Sequence, residues 1–293
     1  MTYEKIAWVA AINIMSLICV FFCGLFILSQ IQKSSHKLII NIAGFRGMLM
    51  VACPGVVVHE GSHYVLCRVF SHEVIRVSFF ELDLTSRSLG YVKYSYNPYN
   101  LYHQLGRFFI GIAPLFGGSL AIYLLVNYFL SPGLANPFEP SDNYHFNMAT
   151  SLLDNITTNI DFFANTTISI MFGLWEFIIR SPLFGLLLSY FMFSIALHAA
   201  PSRSDWHGAL GGGATVVLFA FILNTVALYF SSYYQERQVT YLFENFKVWI
   251  VYAEVIVINL IFFILALSII GFGILLIVSF FILVIRKIIR WNE

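Results

Sequence analysis

Charged side chains are what this sequence has least of. Asp, Glu, Lys and Arg make up 11% of its 293 residues, less than half of the roughly 25% found in soluble domains. An ordinary aqueous surface cannot be assembled from so few. The net charge is only +1, which gives no case for a nucleic-acid partner. The four cysteines, Cys19, Cys23, Cys53 and Cys67, lie in apolar stretches and form no Cys-x-x-Cys pair. Nothing here implies a disulfide framework, and they are best taken as small apolar packing residues. No internal repeat and no second, soluble domain is visible. Residues 1–293 are therefore expected to form a single polytopic membrane domain.

What the chain has instead is apolar length. It is 59% hydrophobic, with 30 Phe and a mean hydropathy of +0.80. A membrane-crossing helix needs about 20 apolar residues, and six runs qualify: Ile6–Ser29, Ile42–Phe70, Leu105–Leu130, Pro182–Ala199, Ala209–Ser232 and Trp249–Ile285. Phe162–Ile179 is a weaker segment, fringed by Asp161, Glu176 and Arg180, that suits an interfacial or re-entrant helix. Val74–Phe79 and Leu89–Tyr96 are β-branched and aromatic with partial alternation, predicting a β-hairpin at about 74–96. Pro132, Gly133, Pro137 and Pro140 predict a loop, opening an external region at about 131–180. The expected fold is thus an all-α membrane protein of about six transmembrane helices with a small β-hairpin or sheet after the second. With the N-terminus inside, ten of the 16 Lys and Arg fall on the cytoplasmic side. None occurs from Ser131 to Ile179. Both observations predict cytoplasmic N- and C-termini.

One motif carries chemistry. His59-Glu60-Gly61-Ser62-His63 lies in the second apolar run, between Val56-Val57-Val58 and Tyr64-Val65-Leu66. On a helix, positions four apart stack on one face, so both imidazoles can bind one metal ion. Glu60 is then placed to take a proton from a water at the metal. Random placement would produce this pattern about 0.01 times in such a chain. A Glu at bilayer depth also costs a few kcal/mol, which a metal and its ligands offset. The bland alternative is a polar cluster pairing with other helices. A hydrolytic site needs a third protein ligand, and the leading candidate is Asp205, in the segment His198-Ala-Ala-Pro-Ser-Arg-Ser-Asp205. Asp205 would otherwise be an ordinary helix cap. His198 and His207 flank it as candidate substrate or transition-state contacts. Glu254 is a competing intramembrane carboxylate. His36, His72, His103 and His145 suggest loop or interface histidines without a role.

These residues resemble the site-2 protease family of intramembrane zinc metalloproteases, over roughly Ile42–Leu130 and Pro182–Ser232. The likeness is carried by His59-Glu60-Gly-Ser-His63 in a membrane helix, the following hairpin, Gly111-Ile-Ala-Pro114-Leu-Phe-Gly117, and a later Pro–Asp–Gly segment. It implies one zinc ion on His59, His63 and Asp205, Glu60 as general base, and a membrane protein or peptide as substrate. The second motif departs from the family, which has Asn-x-x-Pro and then Leu-Asp-Gly. Here His198 stands at the Asn position and Ser204 precedes Asp205. There is no PDZ-like insertion. Two rivals remain at this level: a prenyl-protein type of membrane metalloprotease with a Glu as third ligand, and a non-catalytic metal-binding pseudoprotease or transporter.

Overall fold

The computed structural model describes residues 3–81, 89–131, 152–233 and 237–291. Helix α1 (Tyr3–Val69) leads into strands β1 (Glu73–Ser78) and β2 (Tyr91–Ser95). Then follow α2 (Leu101–Gly111), α3 (Ala113–Phe129), α4 (Leu152–Arg180), α5 (Pro182–His198), α6 (Arg203–Tyr233) and α7 (Arg237–Trp291). Helices dominate because a backbone in hydrocarbon must satisfy its own hydrogen bonds. Among the described residues, three stretches are long and apolar enough to cross a membrane: Phe21–Val69, Arg203–Leu223 and Ile256–Ile285. The pair α2 and α3, bent by 56°, makes a fourth if taken as one broken span.

The expected division into six runs is borne out in part, with two differences. Ile6–Ser29 and Ile42–Phe70 both lie in α1, as two helices that meet at Gly44, the first of them extended by polar residues that remain helical. Ser35 returns its hydroxyl to the Ile31 carbonyl there. The break is at Gly44, at φ 67° and ψ −173°, a backbone state that glycine adopts and side chains resist. The run Leu105–Leu130 is likewise broken, at Ile112, where Pro114 enters the first turn of α3. The external region expected at about 131–180 is helical from Leu152 onward. Ile170 and Leu174, four residues apart on α4, are buried and give that helix a packing face. The proline-rich part, with His145, lies outside the described residues.

The hairpin forms as predicted, with β1 and β2 antiparallel, Val77 opposite Val92, and a bulge between Val74 and Arg76. The main core lies between helices, at three-to-four-residue spacing. Leu25 and Leu28 of α1 meet Leu115 and Ile122 of α3, Met192 and Ile195 of α5, and Ile261 and Ile264 of α7. The outer faces are apolar as well; Phe26, Leu124, Leu187 and Phe280 are exposed. Apolar side chains inside and outside together are the mark of a helix bundle made for lipid.

Pro54 matters for the site. Lying within α1, it has no N–H for the Met50 carbonyl, and the Tyr190 hydroxyl of α5 bonds that carbonyl instead. One step on, the Ser194 hydroxyl accepts from Gly55 N–H at 3.0 Å and donates to the Val51 carbonyl at 2.6 Å. Helix α5 thus substitutes for part of the α1 ladder one turn before His59. That fixes the two helices against each other.

Candidate metal centre

Two helices bring the site together. His59 and His63 project from α1, and Asp205 from the first turn of α6. Nε2 of His59 lies 3.2 Å from Nε2 of His63. The Asp205 oxygens lie 3.4 Å from His59 Nε2 and 3.3 Å from His63 Nε2. All three side chains are largely shielded from solvent. Such a group could hold a metal ion.

Each side chain is aimed by backbone that the sequence leaves unpaired. His59 Nδ1–H donates to the His198 carbonyl at 2.7 Å. His63 Nδ1–H donates to the Ile110 carbonyl at 2.7 Å. The helical partner of Ile110 would be residue 114, which is Pro114 and has no N–H. The partner of His198 would be Ser202, whose N–H goes instead to Asp205 Oδ2 at 2.6 Å. Ser202 Oγ in turn accepts from Asp205 N–H at 3.3 Å. This reciprocal pair is a capping box, with Ser202 as the cap and Asp205 three residues on. The cap reading and the ligand reading of Asp205 are therefore compatible: capping one helix orients the carboxylate toward the histidines.

This arrangement fits a metal. With both Nδ1 atoms donating, each neutral ring turns an Nε2 lone pair inward. Two lone pairs and a carboxylate converging on one point repel unless a cation lies among them. Ligand atoms around a tetrahedral ion with bonds of about 2.05 Å are about 3.3 Å apart, and the three separations here match that edge.

The centre opens into a cavity of about 1140 Å³. Glu60 lines it beside the ligands, opposite Gly90 at the start of the second hairpin limb. A β-carbon at Gly90 would fall 2.7 Å from Glu60 Cγ, so this hairpin seat requires glycine. His198 also lines the cavity, but both its ring nitrogens are engaged. Nδ1–H donates to the Ser194 carbonyl at 2.8 Å, and Nε2 accepts from His36 Nε2–H at 3.1 Å. His207 is exposed, two residues from Asp205 and on another face of α6. The side chain of Glu254 lies outside the described ones.

No protein-family model, curated protein or solved structure matches this chain. The site therefore has to be judged on its own geometry, which adds a residue the motif did not point to. His36 precedes the Gly44 bend, 162 positions from His198, and only the fold-back of α1 puts it in the cavity. The available signal was Gln32 and His36 four apart in an otherwise apolar helix, both now on the cavity wall.

Proposed function

We propose that the protein is a membrane-embedded zinc metalloendopeptidase similar to the site-2 proteases, cutting membrane-associated protein or peptide substrates. The observation that carries this is the convergence of His59, His63 and Asp205 at tetrahedral spacing beside Glu60 in one cavity. Nitrogen and carboxylate donors at that spacing suit zinc, with a fourth position left for water. A zinc ion bound there supplies Lewis acidity, polarising a carbonyl and bringing a water's pKa toward ~7.

The chain's own residues do the rest. Glu60 takes the proton from the attacking water and returns it to the leaving amine. The carbonyls of Ile110 and His198 keep both imidazoles turned inward, and Ser202 holds the carboxylate. A substrate must be extended to expose its scissile carbonyl. The β2 limb, from Leu89 to Tyr94 along the cavity, suits that task by strand addition. The opening and both termini face the cytoplasm in this reading, with the broken helix α1 and the α2–α3 pair making up several of about six crossings.

Elemental analysis of detergent-purified protein tests the centre. Wild-type is expected to carry about one zinc per chain, with His63→Ala and Asp205→Ala both losing it. Glu60→Gln is expected to keep zinc and lose cleavage. Zinc retained without Asp205 would remove it from the ligand set, and cleavage surviving in Glu60→Gln would remove its role as base.

A further inference from the structure

A peptidase centre also has to stabilise the oxygen of the scissile carbonyl, and the donors around this cavity can be counted off. The His36–His198 pair is bonded to itself and to Ser194. Ser202 and Ser204 share a hydrogen bond at 2.8 Å, and Ser202 Oγ also caps α6. Lys93 is exposed, with its ammonium over the Tyr91 ring. Gln32 lies one helical turn from His36, on the arm of α1 before the Gly44 bend. Of the two tyrosines on β2 that line it, Tyr91 has Arg76 and Lys93 over its ring, and Tyr94 presents its hydroxyl toward α6.

Tyr94 lines the cavity from β2. Alternation along the strand sets it on the face opposite Tyr91 and Lys93, toward α6. Its hydroxyl would be 3.5 Å from a β-carbon at Gly208, one turn beyond Asp205 on the same helix. The ring is backed by His72, with centroids 5.2 Å apart. No hydrogen bond holds the hydroxyl among the described residues. Burial pushes the phenol up to about 12, with Cys67 and Asp205 adding to the shift. It is therefore a neutral O–H donor at physiological pH.

We propose that Tyr94 is a catalytic residue whose phenolic O–H donates to the carbonyl oxygen of the scissile peptide as the tetrahedral adduct forms. This rests on the metallopeptidase reading above and adds a second electrophile to it. The water oxygen bonds to the carbonyl carbon, the C=O π pair moves onto oxygen, and Tyr94 bonds to that oxygen. Collapse reforms C=O and breaks C–N, while the amine leaves with the proton carried by Glu60. Tyr94 keeps its own proton throughout. Because the residue lines the same cavity as the three ligand candidates, a strand bound along β2 would meet both. The hairpin then serves chemistry as well as binding.

The test is Tyr94→Phe in the full-length, detergent-purified protein, which keeps the ring against His72 and removes only the donor. The first readout uses Co²⁺-loaded protein titrated with acetohydroxamate, followed by the visible spectrum. The variant should take up Co²⁺ as wild-type does but bind acetohydroxamate about tenfold more weakly. The second is cleavage of fluorescein-labelled β-casein, where kcat should fall about 10- to 100-fold with KM within about twofold. Unchanged acetohydroxamate affinity and unchanged kcat would overturn the role of Tyr94 and leave the metallopeptidase reading intact. Equal losses of Co²⁺ and activity would make Tyr94 a merely structural residue. Failure of wild-type itself to take up Co²⁺ would overturn the metal centre, and the Tyr94 assignment with it.

Discussion

At the scale of single residues, the centre depends on where side chains are missing as much as on where they are present. Gly111, at the end of α2, sits so close to α6 that a β-carbon there would lie 2.6 Å from the Asp205 carbonyl and 2.8 Å from Ala209 N. Gly111→Ala must push α2 and α6 apart, moving the Asp205 carboxylate and the Ile110 carbonyl away from His63 together. We expect a fall in zinc affinity of about 10- to 100-fold, the range for disturbed supporting contacts. Competition against a chelating dye would measure it; unaltered affinity would mean that the helices absorb the methyl without shifting the ligands. Gly90 stands in the same relation to Glu60. The His-Glu-x-x-His spacing was visible in the chain, but neither glycine declares what it faces.

Among the elements, α1 and the hairpin do most to shape the site. Proline residues play an unusual part: Pro54 opens α1 to Tyr190, and Pro114 frees the Ile110 carbonyl for His63. Pro54, inside α1, would be costly in a lone helix, whereas Pro114 sits in the first turn of α3 where proline is tolerated; in both cases a neighbour takes up the carbonyl left over. The hairpin is anchored at its base by His72, which is 2% exposed. Its Nε2–H donates to the His103 carbonyl at 3.1 Å while Nδ1 is buried without a partner. Burial holds this imidazole below its ordinary 6.5; His103 and Arg107 push the same way, and the bond to the His103 carbonyl opposes them. The unfolded chain therefore takes up this proton at higher pH than the folded one. Stability from neutral His72 is complete above about pH 6.5 and is lost as pH falls toward the folded value. Thermal midpoints should drop more steeply between about pH 7 and pH 5 in wild-type than in His72→Gln. Parallel slopes would show that the drop comes from other groups.

For the whole molecule, the arrangement that matters is the metal centre inside the bundle with its cavity bordered by the hairpin. Tyr99, between β2 and α2, is 94% exposed and reports which side of the membrane the hairpin occupies. In the proposed topology, the excess of Lys and Arg on one set of connections would put it in the cytoplasm. Tyr99→Cys, in a chain with Cys19, Cys23, Cys53 and Cys67 replaced, should react with a membrane-impermeant maleimide in inverted vesicles and not in intact cells. Labelling of intact cells would reverse the topology and put the opening outside.

Sequence alone was enough for the local and compositional features. Low charge and long apolar runs required a membrane; two histidines four apart could only share a helix face; alternation at 74–79 and 89–96 made a hairpin. Each is a short-range property, set by backbone periodicity and by the cost of polar groups in lipid. Asp205 was legible as a candidate by residue type, but its convergence on His59 and His63 was not, since α1 and α6 are far apart in the chain. Tertiary structure also decided that the two apolar runs of α1 fold back on each other at Gly44, and that the helix expected at Phe162–Ile179 begins already at Leu152. It placed His36 in the cavity and left His207 outside it. It set Tyr94, one of 16 tyrosines, on the wall of the cavity that holds His59, His63 and Asp205. These are questions of which surfaces meet, and packing between distant segments answers them where periodicity cannot.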